Sequence, residues 1–307
     1  MKNPRLLLSM VIALFMFGGL TACNEDDDPI TPEVKTIAQI ASETTQFSTL
    51  VSALDRVDLV NVLDSEGTYT VFAPTNDAFT ALGVDLNTIS DEDLTNILLY
   101  HVIGTEIPSM NIADGQTYAS TASTAGPNNA ALSVLIEKSS DGVMINNTAN
   151  VTTADIMASN GVIHIIDAVI TPLDVVGHAA ANKNFTQLVG ALSAASGSLV
   201  DVLQTEGPFT VFAPVNSAFE EISEVVETLS MDDLSNILLY HVAEGNVRST
   251  DLSDGMTVNA VNGDSFTINL DSGASITDAN GGNSIIALTD VQATNGVIHV
   301  IETVILP

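Results

Sequence analysis

The chain has 307 residues with 38 acidic and seven basic side chains, a formal charge of −31, one cysteine and no tryptophan. A balance this acidic repels nucleic acid and anionic lipid headgroups, and a lone cysteine excludes an intrachain disulfide. The length suits two domains of ordinary size.

Lys2 and Arg5 precede "LLLSMVIALFMFGGL", an apolar run of fifteen residues. It is too short for a spanning helix, so residues 1–22 are predicted to be a secretory signal. The following "LTAC", residues 20–23, resembles the bacterial lipoprotein box. That resemblance implies cleavage before Cys23 and lipid on its thiol and new amino group, with two or three palmitate-like chains giving a firm anchor. Residues 23–34 continue as the acidic tether "NEDDDPITPEV", which cannot bury enough apolar surface to fold. This tether resembles the acidic export signal of surface-exposed lipoproteins of Bacteroidetes; a solvated spacer facing the periplasm is the other reading of the same residues. Without residues 1–22, five basic side chains face 38 acidic ones, a formal charge of −33. Cations, basic surfaces or saline surroundings suit such a chain.

Amphipathic helices open the next region. Ile37, Ile40 and Ala41, then Phe47, Leu50, Val51 and Leu54, recur at spacings of three and four. "YTVFA" at 69–73 reads as a short buried strand ending at Pro74. Asn76 is expected to cap the helix that follows, with Asp77 in its first turn. "SDED" at 90–93 approximates a capping box, and Leu94, Leu98 and His101 then fall within about 60° of one another on the helix, so His101 points toward the core. From about 107 to 170 the chain is strand-like. "GVIHIIDAVI" is apolar on both alternating faces, which predicts a central strand with His164 embedded in it.

The same elements then return. "TVFAPTNDAF" at 70–79 is answered by "TVFAPVNSAF" at 210–219, and "NILLYHV" at 96–102, with Tyr100 and His101, by the same letters at 236–242, with Tyr240 and His241. "NGVIHIID" at 160–167 returns as "NGVIHVIE" at 295–302, carrying His299, and Asn216 keeps the place of Asn76. The second copy is five residues shorter between these last two motifs, the candidate place being the low-complexity "ASTASTAGPNNAA" at 119–131, and a length change of that kind is expected to belong to a surface loop. Two units of 35–172 and 173–307 follow, joined through "TPLD" at 171–174 with almost no linker. Helices first and strands last in each favours an α+β fold.

Each unit resembles a fasciclin-type (FAS1) domain. "TVFAPTNDAF", "LLYHV" and "DIMASNGVIHIIDAVITP" carry the resemblance in the first, and "TVFAPVNSAF", "LLYHV" and "DVQATNGVIHVIETVILP" in the second. The resemblance implies a β-sandwich or wedge with packed helices in each domain, and an extracellular role in adhesion or matrix attachment. It also singles out Asp155 and Ile156, which match the places implicated in integrin binding by animal relatives, although the chain has no Arg-Gly-Asp.

Chemistry has few places to reside. His101, His164, His241 and His299 lie in the repeated motifs, where a buried hydrogen-bonded histidine explains them better than a metal site, since zinc needs three or four ligands. No catalytic elbow, metalloprotease helix, phosphate loop or dinucleotide fingerprint is present. The Asp-Gly pairs at 114–115 and 254–255 are turn signals, without the twelve-residue calcium pattern. The expectation is a non-enzymatic outer-membrane lipoprotein exposed at the cell surface, needing no cofactor, whose partner is a matrix, glycan or neighbouring-cell component. The alternative is a carrier of a small apolar ligand or oligosaccharide, which requires a pocket.

Overall fold

A computed structural model describes residues 34–307 apart from 87, 206, 227 and 272. Cys23, the signal segment and the acidic tether lie outside the described residues. In the first half, α1 (Ile37–Glu43), α2 (Ser48–Arg56) and α3 (Val60–Asp64) precede β1 (Tyr69–Pro74), α4 (Asn76–Leu82), α5 (Asp91–Tyr100) and β2 (Val102–Ile103). Five strands complete it: β3 (Gly115–Ser120), β4 (Ser133–Ser139), β5 (Gly142–Ile145), β6 (Ala149–Ala158) and β7 (Gly161–Ile166).

The second half repeats the plan. Its helices are α6 (Val175–Ala181), α7 (Thr186–Ala194), α8 (Leu199–Thr205), α9 (Asn216–Glu221), α10 (Ser223–Val226) and α11 (Met231–Tyr240), with β8 (Phe209–Pro214) between α8 and α9. Then come β9 (Val242–Glu244), β10 (Thr257–Asn259), β11 (Ser265–Asn269), β12 (Ser275–Thr277), β13 (Asn283–Ala293) and β14 (Gly296–Ile301).

Each half builds one seven-stranded sheet, in the orders β2-β1-β7-β6-β5-β4-β3 and β9-β8-β14-β13-β12-β11-β10. All ladders are antiparallel except β1 with β7 and β8 with β14. The sheet curls into a wedge until its ends meet. Ile103 bridges Thr121 in the first half, and Ala243 bridges Ala260 in the second. Alternation then separates two cores per half. In β1, Val71 and Ala73 face the helices with Phe47, Leu50, Leu94 and Leu98. Phe72 faces the inside of the wedge with Tyr100, Val134, Ile145 and Ile166. This division explains why β7 is buried along its whole length and why its sequence is apolar on both faces.

The parallel joint is tight. A Cβ at Gly161 would stand 2.0 Å from the Tyr69 carbonyl oxygen, and one at Gly296 would stand 2.2 Å from that of Phe209. Only glycine allows this approach. The Asn before each glycine fastens helices to the sheet. Asn160 Oδ1 accepts from the Ile37 N–H at 2.9 Å, and its Nδ2 donates to the carbonyls of Leu63 and Ser65 at 2.8 Å. Asn295 does the same for Val175 and Leu203.

Two expectations are corrected. The cap of α4 is Thr75, whose Oγ1 accepts from the Ala78 N–H at 3.3 Å, not Asn76. Asn76 lies one residue inside the helix and cross-links it to α2: Oδ1 accepts from Thr49 N–H at 2.9 Å, and Nδ2 donates to Thr45 O and Ser48 Oγ at 3.0 Å. Asn216 makes the matching bonds to Gln187 N–H and Lys183 O, while Val215 at the cap place gives no side-chain bond. Asn is kept in both copies for that cross-link, and the cap varies. The second correction concerns 119–131. Thr121, Ser123 and Ala130 are buried, and a methyl group added at Gly126 would lie 3.1 Å from Gln292 Cγ of the other half. The extra residues of the first copy therefore contribute to the junction between halves.

That junction joins the outward face of β3 and β4 to α6 and β13. Tyr118 packs edge-on against His178, ring centroids 5.7 Å apart, and its hydroxyl accepts from Asn182 Nδ2 at 3.1 Å. Gln292 N–H donates to Ser133 Oγ at 2.9 Å, Lys183 N–H donates to Gln116 Oε1 at 3.1 Å, and Lys183 pairs with Glu137.

Candidate functional site

The repeated Tyr-His pair closes the end of α5 and of α11. Tyr100 Oη donates to Ser133 O at 2.8 Å and accepts from Asn146 Nδ2 at 3.0 Å. His101 bonds Ile97 O through Nδ1 at 2.7 Å and accepts the Ile170 N–H at Nε2, 3.1 Å. Tyr240 donates to Ser265 O and accepts from Ala279 N–H, and His241 repeats the pattern with Ile237 O and Ile305 N–H. Burial raises both phenols and lowers both imidazoles, the latter to about 4. Each ring is thus neutral with its proton on Nδ1, and it ties the last turn of the helix to the segment after the central strand.

The central-strand histidines bind backbone too. His164 Nε2 donates to Ile107 O at 3.0 Å and Nδ1 accepts the Asp155 N–H at 3.2 Å. His299 reproduces this with Val247 O and the Asp290 N–H, and burial lowers its pKa. With both nitrogens of all four rings engaged, none is free to ligate a metal. Among the described residues no group of three or more His, Cys, Asp or Glu is placed to hold one.

Asp155 sits at a bulge of β6 with φ 61°, between the register shifts that separate Thr153 from Ile156. Its carboxylate accepts from the Ser109 N–H at 2.7 Å and from the Ser109 hydroxyl, and these bonds lower its pKa. Asp290 holds Ser249 in the same way. Ser, Asp and His therefore lie together twice, yet the arrangement cannot activate a nucleophile. The hydroxyl donates to the carboxylate, whose pKa is lowered in Asp155, and the imidazole hydrogen-bonds only main-chain groups, so the serine–histidine bond of a catalytic triad is not made. Ile156 is half-buried, pairs with Ile163 and packs on the helix-side core.

The fifth histidine, His178, is the one that sequence reasoning passed over. It is fully buried at the junction, neither ring nitrogen reaches good hydrogen-bond geometry with a partner, and burial lowers its pKa to about 4 against a weaker opposing contact with the Gln292 main chain. Its signal was a difference between copies, since Ile40 holds the same place in α1.

An enclosed apolar cavity of about 20 Å³ lies under α6, lined by Val175, Leu188, Leu203, Phe212, Leu238 and Ile298. A volume of that size admits about one water, whereas ligand pockets run to roughly 300 Å³ or more. The larger depressions are open surface grooves, one between Arg56, Asp91 and Asn129 and another beside Asp254, Asn269 and Asp271.

Comparison with known proteins gives a consistent picture. The profile of the Fasciclin domain matches residues 45–172 and 183–307. Protein sll1483 of Synechocystis sp. is 42% identical over 147 residues, which cover 46% of this chain and 76% of that protein. The transforming growth factor-beta-induced protein ig-h3 of Sus scrofa is 28% identical over 290 residues, 91% of this chain and 40% of its own length. Periostin of Homo sapiens is 27% identical over 291 residues, 91% of this chain and 32% of its own. The chain thus spans less than half of either animal relative. A solved FAS1 domain pair from the insect cell adhesion molecule Fasciclin I aligns at 21% identity with a TM-score of 0.48, covering 83% of this chain and 92% of that one.

Proposed function

This chain belongs to the fasciclin family, with two tandem domains of mixed helix and sheet, and from that premise we propose that it is a non-enzymatic adhesion or matrix-attachment protein of the cell surface. The observation that carries the reading is the duplicated use of the motif side chains. His101, His164 and their counterparts are spent on main-chain partners in both halves, and Asp155 and Asp290 each hold a serine through its N–H and hydroxyl, so what remains for function is the outer surface.

Anchoring at the outer membrane through lipid on Cys23, with the acidic segment after it as tether, completes the proposal, and the domain limits are 35–172 and 173–307. The partner is a matrix, glycan or neighbouring-cell component, and nucleic acid is disfavoured by charge. Asp155 and Ile156 remain candidate contacts: the Asp155 side chain is solvent-accessible even while it holds Ser109. A carrier role is disfavoured because the apolar cavity under α6 is far too small for cargo and the larger depressions lie open at the surface. Two measurements on the purified protein separate the readings. Adhesion expects capture of extracted matrix or cell-wall material with no co-purifying molecule in native mass spectrometry; a stoichiometric bound molecule without such capture would support the carrier.

A further inference from the structure

The helix layers of the two domains are built on the same plan but differ around one groove. Asn76 accepts from the Thr49 N–H and Asn216 from the Gln187 N–H, which aligns α2 with α7, and the shared motifs align Phe79 with Phe219 and Tyr100 with Tyr240. Ser52, Arg56 and Asp91 of the first domain therefore correspond to Gly190, Ala194 and Met231 of the second. In the first domain Arg56 reaches from the end of α2 to the segment before α5, where its guanidinium donates to the carbonyls of Leu86 and Ile89 and pairs with Asp91. The second domain has no cation to make that bridge.

Its place is an apolar groove of about 360 Å³ between α7, α9, α10 and α11, walled by Gly190, Ala191, Ala194, Phe219, Val226 and Leu234. Exposure changes accordingly. Ala53 and Leu94 are 4% and 1% exposed in the first domain, whereas their counterparts Ala191 and Leu234 are only half-buried and Met231 is 68% exposed.

Carboxylates are rearranged around the groove. Asp85 and Asp91 give way to Val225 and Met231, while Glu220, Glu221 and Glu224 stand, exposed, where the first domain has Thr80, Ala81 and Val84. These three lie on the short helices that carry Phe219 and Val226, and Asp232 and Asp233 precede Leu234 in the first turn of α11. Between Lys183 and Arg248 the sequence has no Lys or Arg at all. An apolar floor with acidic flanks and no internal cation favours a partner that brings both apolar and basic groups. Another copy of this chain does not supply them, because Lys35, Arg56, Lys138 and Lys183 each already face a carboxylate of their own. Anionic lipid is repelled by the same flanks.

We propose that this groove of the second domain docks a cationic amphipathic segment of a partner protein, with an apolar side chain seated between α7 and α11 and flanking Lys or Arg side chains meeting Glu220, Glu221 and Glu224. Arg56 is the template within the chain, an aliphatic stem with a cationic head that joins the two matching walls. The proposal names the chemistry of a partner and so rests on the adhesion reading, but it is tested apart from attachment. Salt weakens this contact, the opposite of its effect on attachment to an acidic matrix.

The chain has no tryptophan, so a synthetic leucine–lysine peptide with one tryptophan on its apolar face reports binding through its own fluorescence. Titrated into the purified full-length chain, it is expected to bind at one site, shift its emission to shorter wavelength and weaken as salt rises. Ala194→Arg restores the residue of the first domain at an exposed position and should weaken binding about tenfold or more. Thr257→Arg makes the same change of charge at an exposed strand position and should alter affinity by no more than about twofold. Equal effects of the two variants would reduce the binding to general attraction between charges and overturn the proposal. Equally tight binding of a lysine peptide without leucine, or of a leucine–glutamate peptide, would overturn it too, as would self-association of the chain that Ala194→Arg abolishes. Attachment of cells that persists while the peptide fails to bind would strike the groove and leave the adhesion reading standing.

Discussion

Asn182 Nδ2 donates to Tyr118 Oη at 3.1 Å, joining the start of the second domain to the edge strand of the first. The bond sits beside the edge-on packing of Tyr118 against His178 and the pairing of Lys183 with Glu137. The short 171–174 connection is therefore reinforced by side-chain contacts that hold the domains in one arrangement.

Residues 35–172 expressed alone are expected to unfold cooperatively but less stably than the same domain in the whole chain, because Ser133, Leu135 and Tyr118 lose their cover. Tyr118→Thr in the whole chain should reproduce part of that loss, about 1–3 kcal/mol. Thermal or denaturant unfolding of the three proteins checks this. A fragment as stable as the intact domain would show that the junction contributes nothing.

Stability should fall on acidification in a window set by the buried imidazoles. His101, His178 and His241 have pKa values near 4 in the fold, against 6.5 for a free imidazole. As pH falls below about 6.5 the unfolded chain binds protons that the fold refuses, so stability drops until about pH 4 and then these groups contribute no further change. Each can supply up to roughly 3 kcal/mol of that loss. His178→Leu is expected to flatten the acid slope at little cost near neutral pH, since its ring has no well-formed hydrogen bond to lose, only a weak contact with the Gln292 main chain. His101→Leu should flatten it too, while costing about 1–3 kcal/mol at pH 7 by leaving the Ile170 N–H and Ile97 carbonyl unpaired. Unfolding midpoints from pH 7 to 4 distinguish the two.

The exchange of cap for cross-link predicts an ordering. Thr75→Val should cost roughly 0.5–1 kcal/mol, because it removes one capping bond and the second domain already tolerates Val215. Asn76→Ala should cost more, about 2 kcal/mol, since three bonds to the α2 region go together. Denaturant titration of both variants gives the comparison, and equal costs would return the capping role to Asn76.

Much of this architecture was legible because the chain states it twice. Repetition of "NGVIH" and "LLYHV" marked the central strand and the helix end, and the two apolar faces of β7 followed from its letters. The buried, backbone-bonded state of His101 and His164 was legible for the same reason. The junction was not. It rests on positions where the copies diverge, Ile40 against His178, Met157 against Gln292 and Thr257 against Tyr118, and repetition hides such differences. Capping at Thr75 was missed because identity between copies was read as evidence for the local cap, when Asn76 is kept for a contact 27 residues away.

The central claim is attachment by an anchored, non-enzymatic surface protein, and cell attachment tests it most directly. Cells carrying the intact chain are compared with cells carrying Cys23→Ala on an acidic matrix, with and without added calcium and at two salt concentrations. With the formal charge of −33 that the proposed removal of residues 1–22 would leave, intact cells should attach, more firmly when salt screens the repulsion or divalent cations bridge it. Cys23→Ala cells should release the protein and attach at background level. Equal attachment by both, whatever the salt or calcium, would contradict the account.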